Sequence, residues 1–188
     1  CPKDKTKKCV NCKPYCHITT GFSGAGAFSD GKLSLSPDVG GNLPEILGYD
    51  RAQELIRESD DIYLKFGADQ NVYGIGKQKE IEEIRRKAIT ANLKLIECPI
   101  RHLGTEEGYK IYTRLQEHLL AQGITMEFNT MVKDIIIEDG TVKGVITDKD
   151  ETYHAPEVVA AIGREGSDWF SHICGDHGIE TQVGTVDI

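Results

Sequence analysis

The N-terminal segment concentrates residues suited to metal binding. Four of the six cysteines are Cys1, Cys9, Cys12 and Cys16, and His17 follows the last of them. Thiolates two or three residues apart can converge on one ion, because a tight loop brings both sulfurs within about 2.3 Å of a zinc. The four sulfurs are therefore candidate ligands for zinc or an iron-sulfur cluster. Zinc modules typically contain two CxxC halves and this segment contains one, so reduced surface thiols are the alternative.

A glycine-rich segment, GFSGAGAFSDGKLSLSPDVGG, occupies residues 21–41 and contains no GxGxxG spacing. Glycines permit positive φ and a close backbone approach, so successive amides could point at a phosphate or at the edge of a cofactor ring. The alternative is a plain loop that closes onto a sheet. The residues predicted to face a cofactor in this segment are Gly21, Ser23, Gly24, Ala25, Gly26, Ser29, Asp30 and Gly31.

Lys32 and the RHLGT motif at residues 101–105 supply candidate acid-base chemistry. The imidazole of His102 can change charge near neutral pH, so it is a candidate proton donor or substrate anchor, or else a structural histidine. Lys32 adds a cation and is the second candidate catalytic residue. Arg101 and Arg164 could each bind a carboxylate or phosphate through the guanidinium fork, or make an ion pair.

Composition limits the classes of partner. The net charge is −8, which opposes binding to nucleic acid because that binding depends on lysine and arginine displacing counterions. No apolar run approaches the roughly 18 residues of a membrane helix. We therefore expect neither nucleic acid nor membrane as a partner, and a cytoplasmic location.

Helical periodicity predicts the elements that must position these residues. Apolar residues at helical spacing predict helices over 49–66, 77–91, 106–122 and 167–177, with glycines 67, 123 and 178 as C-terminal stops. Trp169 and Phe170 are expected to pack at the start of the last helix. Cys98 and Cys174 are expected to be small buried hydrophobic residues.

Apolar, β-branched runs predict strands over 93–96, 124–128, 131–137, 142–147 and 157–162, the last of them buried, with a further short strand around Tyr153. Asp-Gly within EDGT at 138–141 predicts a hairpin turn, and DKDE at 148–151 a second turn. These elements predict an α+β fold in which a helical insert precedes a mostly antiparallel β-meander and a terminal helix. The predicted organisation is an entry and glycine loop over 1–43 and a substrate-side or cap domain over 44–188.

The motifs AGAFSDGKL, RHLGT and AIGREGSDW, together with the acidic hairpin and the GVIT strand, resemble flavoproteins with two dinucleotide-binding domains. Among these the chain resembles the central part of the bacterial and archaeal FAD-dependent dehydrogenases usually described as uncharacterised. The resemblance implies that Ser29 to Lys32 lie near the flavin and its substrate. It also implies that Val132 meets the adenine end of FAD through its backbone, and that Ala161 and Gly163 approach the pyrophosphate side. Arg164 is a further candidate cofactor-binding residue.

Such flavoproteins open with a βαβ unit carrying GxGxxG, where glycines admit the pyrophosphate to a helix N-terminus. The chain lacks that motif. The resemblance therefore implies a fragment, with an FAD-binding domain of the same polypeptide as its partner and a further FAD-binding segment after Ile188. Alone, the fragment is expected to bind FAD poorly and to be inactive.

The sequence thus predicts part of an FAD-dependent oxidoreductase that acts on a small-molecule substrate, with NAD(P)H as a candidate electron donor. The alternative is a small zinc or iron-sulfur interaction module built on the four early cysteines.

Overall fold

The structure is a computed structural model that describes residues 3–13, 15–18, 20–28 and 31–182. The chain forms two compact units, one comprising Cys1–Gly24 with Thr125–Ile188 and the other Ala25–Ile124. We call them the meander unit and the helical unit. The predicted organisation places an entry and cofactor-facing glycine loop over 1–43 and a substrate-side or cap domain over 44–188. It stays a prediction.

The elements confirm the α+β class. In chain order they are α1 (Lys3–Thr6), a short 3-10 helix (Gly24–Phe28), β1 (Lys32–Ser34), α2 (Leu43–Leu47), α3 (Tyr49–Lys65), β2 (Val72–Tyr73), α4 (Gln78–Thr90), β3 (Ile100–His102), α5 (Thr105–Ala121), β4 (Val132–Glu138), β5 (Thr141–Thr147), β6 (Thr152–His154) and α6 (Ser167–Asp176). None of the helices in the described ranges is both long enough and apolar enough to span a bilayer.

The four long helices begin and end within one or two residues of their predicted bounds. Gly67 follows α3 with a φ of +99°, a conformation that glycine adopts without steric cost, and its N–H donates to Leu64 O at 3.0 Å. The apolar stripe of α3 is buried where Ala52 lies, with no exposed surface. Helical periodicity therefore located these elements correctly.

The helical unit contains a three-stranded antiparallel sheet in the order β1-β3-β2. Its core lies around Ala68, Leu103 and Ile111, and Ile111 is fully buried. Half-buried Tyr63, Leu64 and Phe66 pack against these residues. The core thus joins the end of α3 to α5 and to the residue that follows β3.

The meander unit contains a second antiparallel sheet in the order β4-β5-β6. Asp139 and Gly140 connect β4 to β5 with φ values of +50° and +70°, the left-handed pair that a two-residue hairpin requires. Asp150 has a φ of +58° in the second predicted turn. The predicted hairpins are confirmed.

Three predicted strands are wrong. Residues 93–96, 124–128 and 157–162 form no strand, and Val159 is 89% exposed rather than buried. A strand needs a neighbouring strand whose N–H and C=O groups complete its ladder. None of the described residues pairs with these segments, so their β-branched composition does not produce a strand.

The two isolated cysteines differ in burial. Cys174 on α6 is buried, as expected, whereas Cys98, which precedes β3, is half-buried.

Candidate functional site

The pairing of β1 with β3 brings the two candidate catalytic residues together. Lys32 and His102 are directly opposed in the antiparallel register. The next pair outward, Gly31 and Leu103, is hydrogen-bonded through Leu103 N and Gly31 O at 2.9 Å. Hydrogen-bonded and non-hydrogen-bonded pairs alternate, so Lys32 and His102 form a non-hydrogen-bonded pair, whose Cα atoms lie about 4.5 Å apart. Their side chains leave the sheet on the same face.

This face of the sheet is accessible. Lys32 is exposed and His102 is half-buried. Tyr73 on β2, which is 60% exposed, meets the His102 ring edge-to-face, with ring centroids 6.3 Å apart and planes at 90°. Sequence reasoning missed Tyr73, because no local pattern shows that β2 and β1 flank β3.

Arg101 lies on the opposite face of β3 and is 5% exposed. Its Nη2 donates to Asp60 Oδ2 at 2.6 Å, and its Nε donates to the other carboxylate oxygen of Asp60. Nη1 donates to the carbonyl oxygens of Asp69, at 2.5 Å, and Asn71. Arg101 is therefore bound within the protein and is not available as a ligand anchor.

This pairing also affects the protonation of Arg101. The hydrogen bond with Asp60 raises the pKa of Arg101, whereas burial acts in the opposite direction. The guanidinium remains charged, and it ties β3 to α3 and to the segment before β2. The hydrogen bonds of Arg101 thus hold β3, the strand that carries His102, in place.

The structure gives different reasons for glycine at different positions of the predicted cofactor loop. Gly21 and Gly24 have φ values of +107° and +54°, and no atom of the described residues lies within 4 Å of where a Cβ would be. A Cβ on Gly26 would lie 3.2 Å from Tyr112 Oη, and one on Gly31 would lie 2.9 Å from Leu103 Cβ. Gly26 and Gly31 are therefore explained by packing within the helical unit, whereas no described neighbour accounts for Gly21 and Gly24.

Among the other predicted loop residues, Ser23 is half-buried and Ala25 is exposed. Ser29 and Asp30 lie outside the described residues, and nothing tests their predicted role. The cofactor contacts of the whole set stay predictions.

The predicted adenine-end and pyrophosphate residues lie in the meander unit. Val132 begins β4 opposite Thr147. Ala161, Gly163 and Arg164 lie between β6 and α6 and are exposed, with Gly163 at a φ of +60°. Arg164 O accepts hydrogen bonds from the backbone and hydroxyl of Ser167, which begins α6. Their contacts with FAD stay predictions.

Two polar contacts that the sequence did not indicate attach α6 to β4. Trp169 Nε1 donates to Lys133 O at 3.0 Å, and His177 Nε2 donates to Asp134 Oδ1 at 3.0 Å. The hydrogen bond from His177 holds the pKa of Asp134 below its ordinary value, assisted by the backbone N–H of Ile135 and opposed by burial. Both contacts join residues far apart in sequence, so no local signal could have found them.

The described cysteines form no metal-binding group. Cys9 is exposed, and Cys12 and Cys16 are half-buried. Within the described ranges no three His, Cys, Asp or Glu residues converge as metal ligands. Cys1 lies outside the described residues, so the four-cysteine site stays a prediction without structural support.

A cleft of about 430 Å³ lies along β5 and β6, lined in part by Glu138, Lys143 and His154. None of the predicted site residues that the structure describes lines this cleft. The cleft therefore does not identify the predicted site.

Comparison with known proteins supplies the family. No curated protein matches the chain significantly. Residues 62–187, which include β3, α5 and the β-meander, match the pyridine nucleotide-disulphide oxidoreductase family. The match covers well over half of the chain and supports a flavoprotein oxidoreductase that binds FAD, NAD(P) or both. The chain belongs to the pyridine nucleotide-disulphide oxidoreductase family.

Proposed function

We propose that this chain is part of an FAD-dependent dehydrogenase, and that its helical unit contributes the side of the site where a small-molecule substrate binds. The family match supports the oxidoreductase class. The observation that carries the finer proposal is the pairing of Lys32 with His102 on an accessible sheet face.

The chemistry divides between cofactor and protein. A bound flavin supplies hydride transfer, and the protein supplies binding, orientation and proton movement. His102 donates or accepts the proton that accompanies hydride transfer, because an imidazole is suited to both roles near neutral pH. Lys32, beside it, orients an anionic group of the substrate.

The backbone at Gly21 and Gly24 has room for a cofactor phosphate or the edge of a cofactor ring. No atom of the described residues occupies the space beside Gly21 and Gly24, and a glycine backbone can approach such a group closely. That the flavin is held mainly by a further domain remains part of the proposal. So does the role of NAD(P)H, which is the hydride donor to the flavin if the substrate is the electron acceptor.

Purification of the full-length protein under mild conditions tests the cofactor. We expect flavin absorbance in the purified protein or after reconstitution with FAD. Protein that stays colourless after reconstitution would sink the proposal. Calorimetric titration of the 188-residue chain with FAD should show weaker binding than the full-length protein.

Substitutions then test the site. We expect His102→Gln to lower the rate of hydride transfer between flavin and substrate by about 10²- to 10⁴-fold, the range for loss of a general acid or base. Lys32→Met should mainly raise KM for an anionic substrate. His118→Gln and Lys110→Met are matched controls on α5 and should leave both parameters unchanged. Equal effects of His102→Gln and His118→Gln would contradict the assigned role.

A further inference from the structure

Two tyrosine hydroxyls meet between α3 and α5. Tyr63 Oη and Tyr112 Oη are 3.4 Å apart, so one hydroxyl donates to the other. Their rings meet edge-to-face, with centroids 6.1 Å apart and planes at 87°. Edge-to-face aromatic pairs have a preferred geometry, so this contact restricts the orientation of both rings.

The Tyr112 hydroxyl also lies against the glycine segment. A Cβ on Gly26 would be 3.2 Å from Tyr112 Oη, closer than ordinary van der Waals contact. Gly26 lies within the 3-10 helix Gly24–Phe28, and its φ is not positive. Glycine at this position is therefore explained by the space that the Tyr112 hydroxyl needs.

Tyr112 remains protonated in this environment. The residue is half-buried, and burial raises the pKa of its phenol, with a further contribution from the hydrogen bond to Tyr63. The hydroxyl pair therefore keeps its hydrogen bond over the physiological pH range.

We propose that the Tyr63–Tyr112 hydroxyl pair is a positioning element for the glycine segment, in which Tyr112 fixes the backbone at Gly26 and Tyr63 fixes the orientation of Tyr112. The significance of this positioning for a cofactor rests on the proposed function. The positioning itself can be measured on the chain without any ligand.

Hydrogen exchange of peptides covering residues 20–28 is the first measurement. Tyr112→Phe removes both the hydroxyl beside Gly26 and the hydrogen bond to Tyr63, whereas Tyr63→Phe removes only the hydrogen bond. We expect Tyr112→Phe to speed exchange there by about 2- to 10-fold and Tyr63→Phe to have a smaller effect. Tyr109→Phe is the matched control, since Tyr109 is an exposed tyrosine on the same helix. Equal exchange in Tyr112→Phe and Tyr109→Phe would overturn the proposal.

A double-mutant cycle separates positioning from general stabilisation. We expect Gly26→Ala to speed exchange of the segment in the wild type but much less in the Tyr112→Phe background, because the hydroxyl that the new methyl group would press on is gone. Identical effects of Gly26→Ala in the two backgrounds would show that the hydroxyl does not position the segment.

The FAD affinity of the full-length protein distinguishes this proposal from the proposed function. If the wild type binds FAD and Tyr112→Phe changes neither exchange nor FAD affinity, the positioning role fails. If the wild type binds no FAD but Tyr112→Phe still speeds exchange, the positioning role stands and the proposed function fails.

Discussion

The two units use carboxylates in contrasting ways to connect distant segments. In the helical unit, the side chains of Asp60 and Arg101 are 13% and 5% exposed, and further carbonyl oxygens satisfy the guanidinium. In the meander unit, the side chains of Asp134 and His177 are 46% and 22% exposed. Both pairs join a strand to a helix or the residue after one.

Burial gives the same kind of contact different consequences. Removal of one member of a buried pair leaves an uncompensated charge, whereas solvent screens a half-exposed pair. The Asp60–Arg101 pair therefore attaches β3, which carries His102, to α3 through a contact whose loss would leave a buried charge. The Asp134–His177 pair contributes less to the attachment of α6, and its contribution to stability depends on pH.

The largest expected effect comes from removing the buried guanidinium. Arg101→Met should lower the free energy of unfolding by about 3–5 kcal/mol, because Asp60 is left buried and unpaired. Urea denaturation measures this difference.

Two variants sharpen that prediction. The double variant Asp60→Leu with Arg101→Met should cost less than Arg101→Met alone, because no charge is left buried. Arg51→Met removes the exposed Arg51–Glu54 pair and should have a much smaller effect. A double variant less stable than Arg101→Met would refute the unpaired-charge explanation.

In the meander unit, backbone packing should matter more than charge. A Cβ on Gly144 would lie 2.0 Å from Tyr153 O, across the β5–β6 pairing. Gly144→Ala should lower the free energy of unfolding by about 1–3 kcal/mol, as overpacking does. The control is Gly140→Ala, where no described atom lies within 4 Å and positive φ opposes the side chain. A smaller loss for Gly144→Ala than for the control would contradict this account.

Attachment of α6 through Trp169 should have a smaller effect. Trp169→Phe keeps an aromatic ring but loses the 3.0 Å hydrogen bond to Lys133 O. We expect a loss of about 1 kcal/mol in the free energy of unfolding, from thermal denaturation followed by circular dichroism. Phe170→Leu is the adjacent control, which removes no hydrogen bond. Unchanged stability in Trp169→Phe would show that this bond does not hold α6.

The smallest expected effect is the pH response of Asp134. Because its pKa is lower in the folded protein, its contribution to stability is present above the unfolded value of about 3.9 and is lost as pH falls through the folded pKa. Stability of the wild type should therefore fall more steeply between about pH 5 and pH 3 than that of Asp134→Asn. Parallel pH profiles for the two proteins would show that the His177 contact has no energetic consequence.

Local patterns were sufficient where the structure is local. The apolar stripe from Tyr49 to Phe66 and its glycine stop define α3, and Asp139-Gly140 defines a hairpin, because helical hydrogen bonds and tight turns involve neighbouring residues. The segment around Val159 has strand composition but no strand, because a ladder depends on a partner from elsewhere in the chain.

The candidate site shows the same limit. The sequence nominated Lys32 and His102 separately, by residue type and by resemblance. It could not indicate that they are opposed, that Tyr73 joins them, or that Arg101 faces the other way into a pair with Asp60. Strand alternation sends adjacent residues 101 and 102 to opposite faces, but only the register decides which face is accessible.

By itself, the sequence determined the long helices, the two hairpins and membership of an oxidoreductase family, because each depends on short-range periodicity, turn chemistry or a chain-long pattern. Tertiary structure alone decided which residues are neighbours, such as Lys32 with His102 and Gly26 with Tyr112. These contacts join segments far apart in the chain, and they form only when burial of the surrounding apolar residues offsets the entropy of closing the intervening loops.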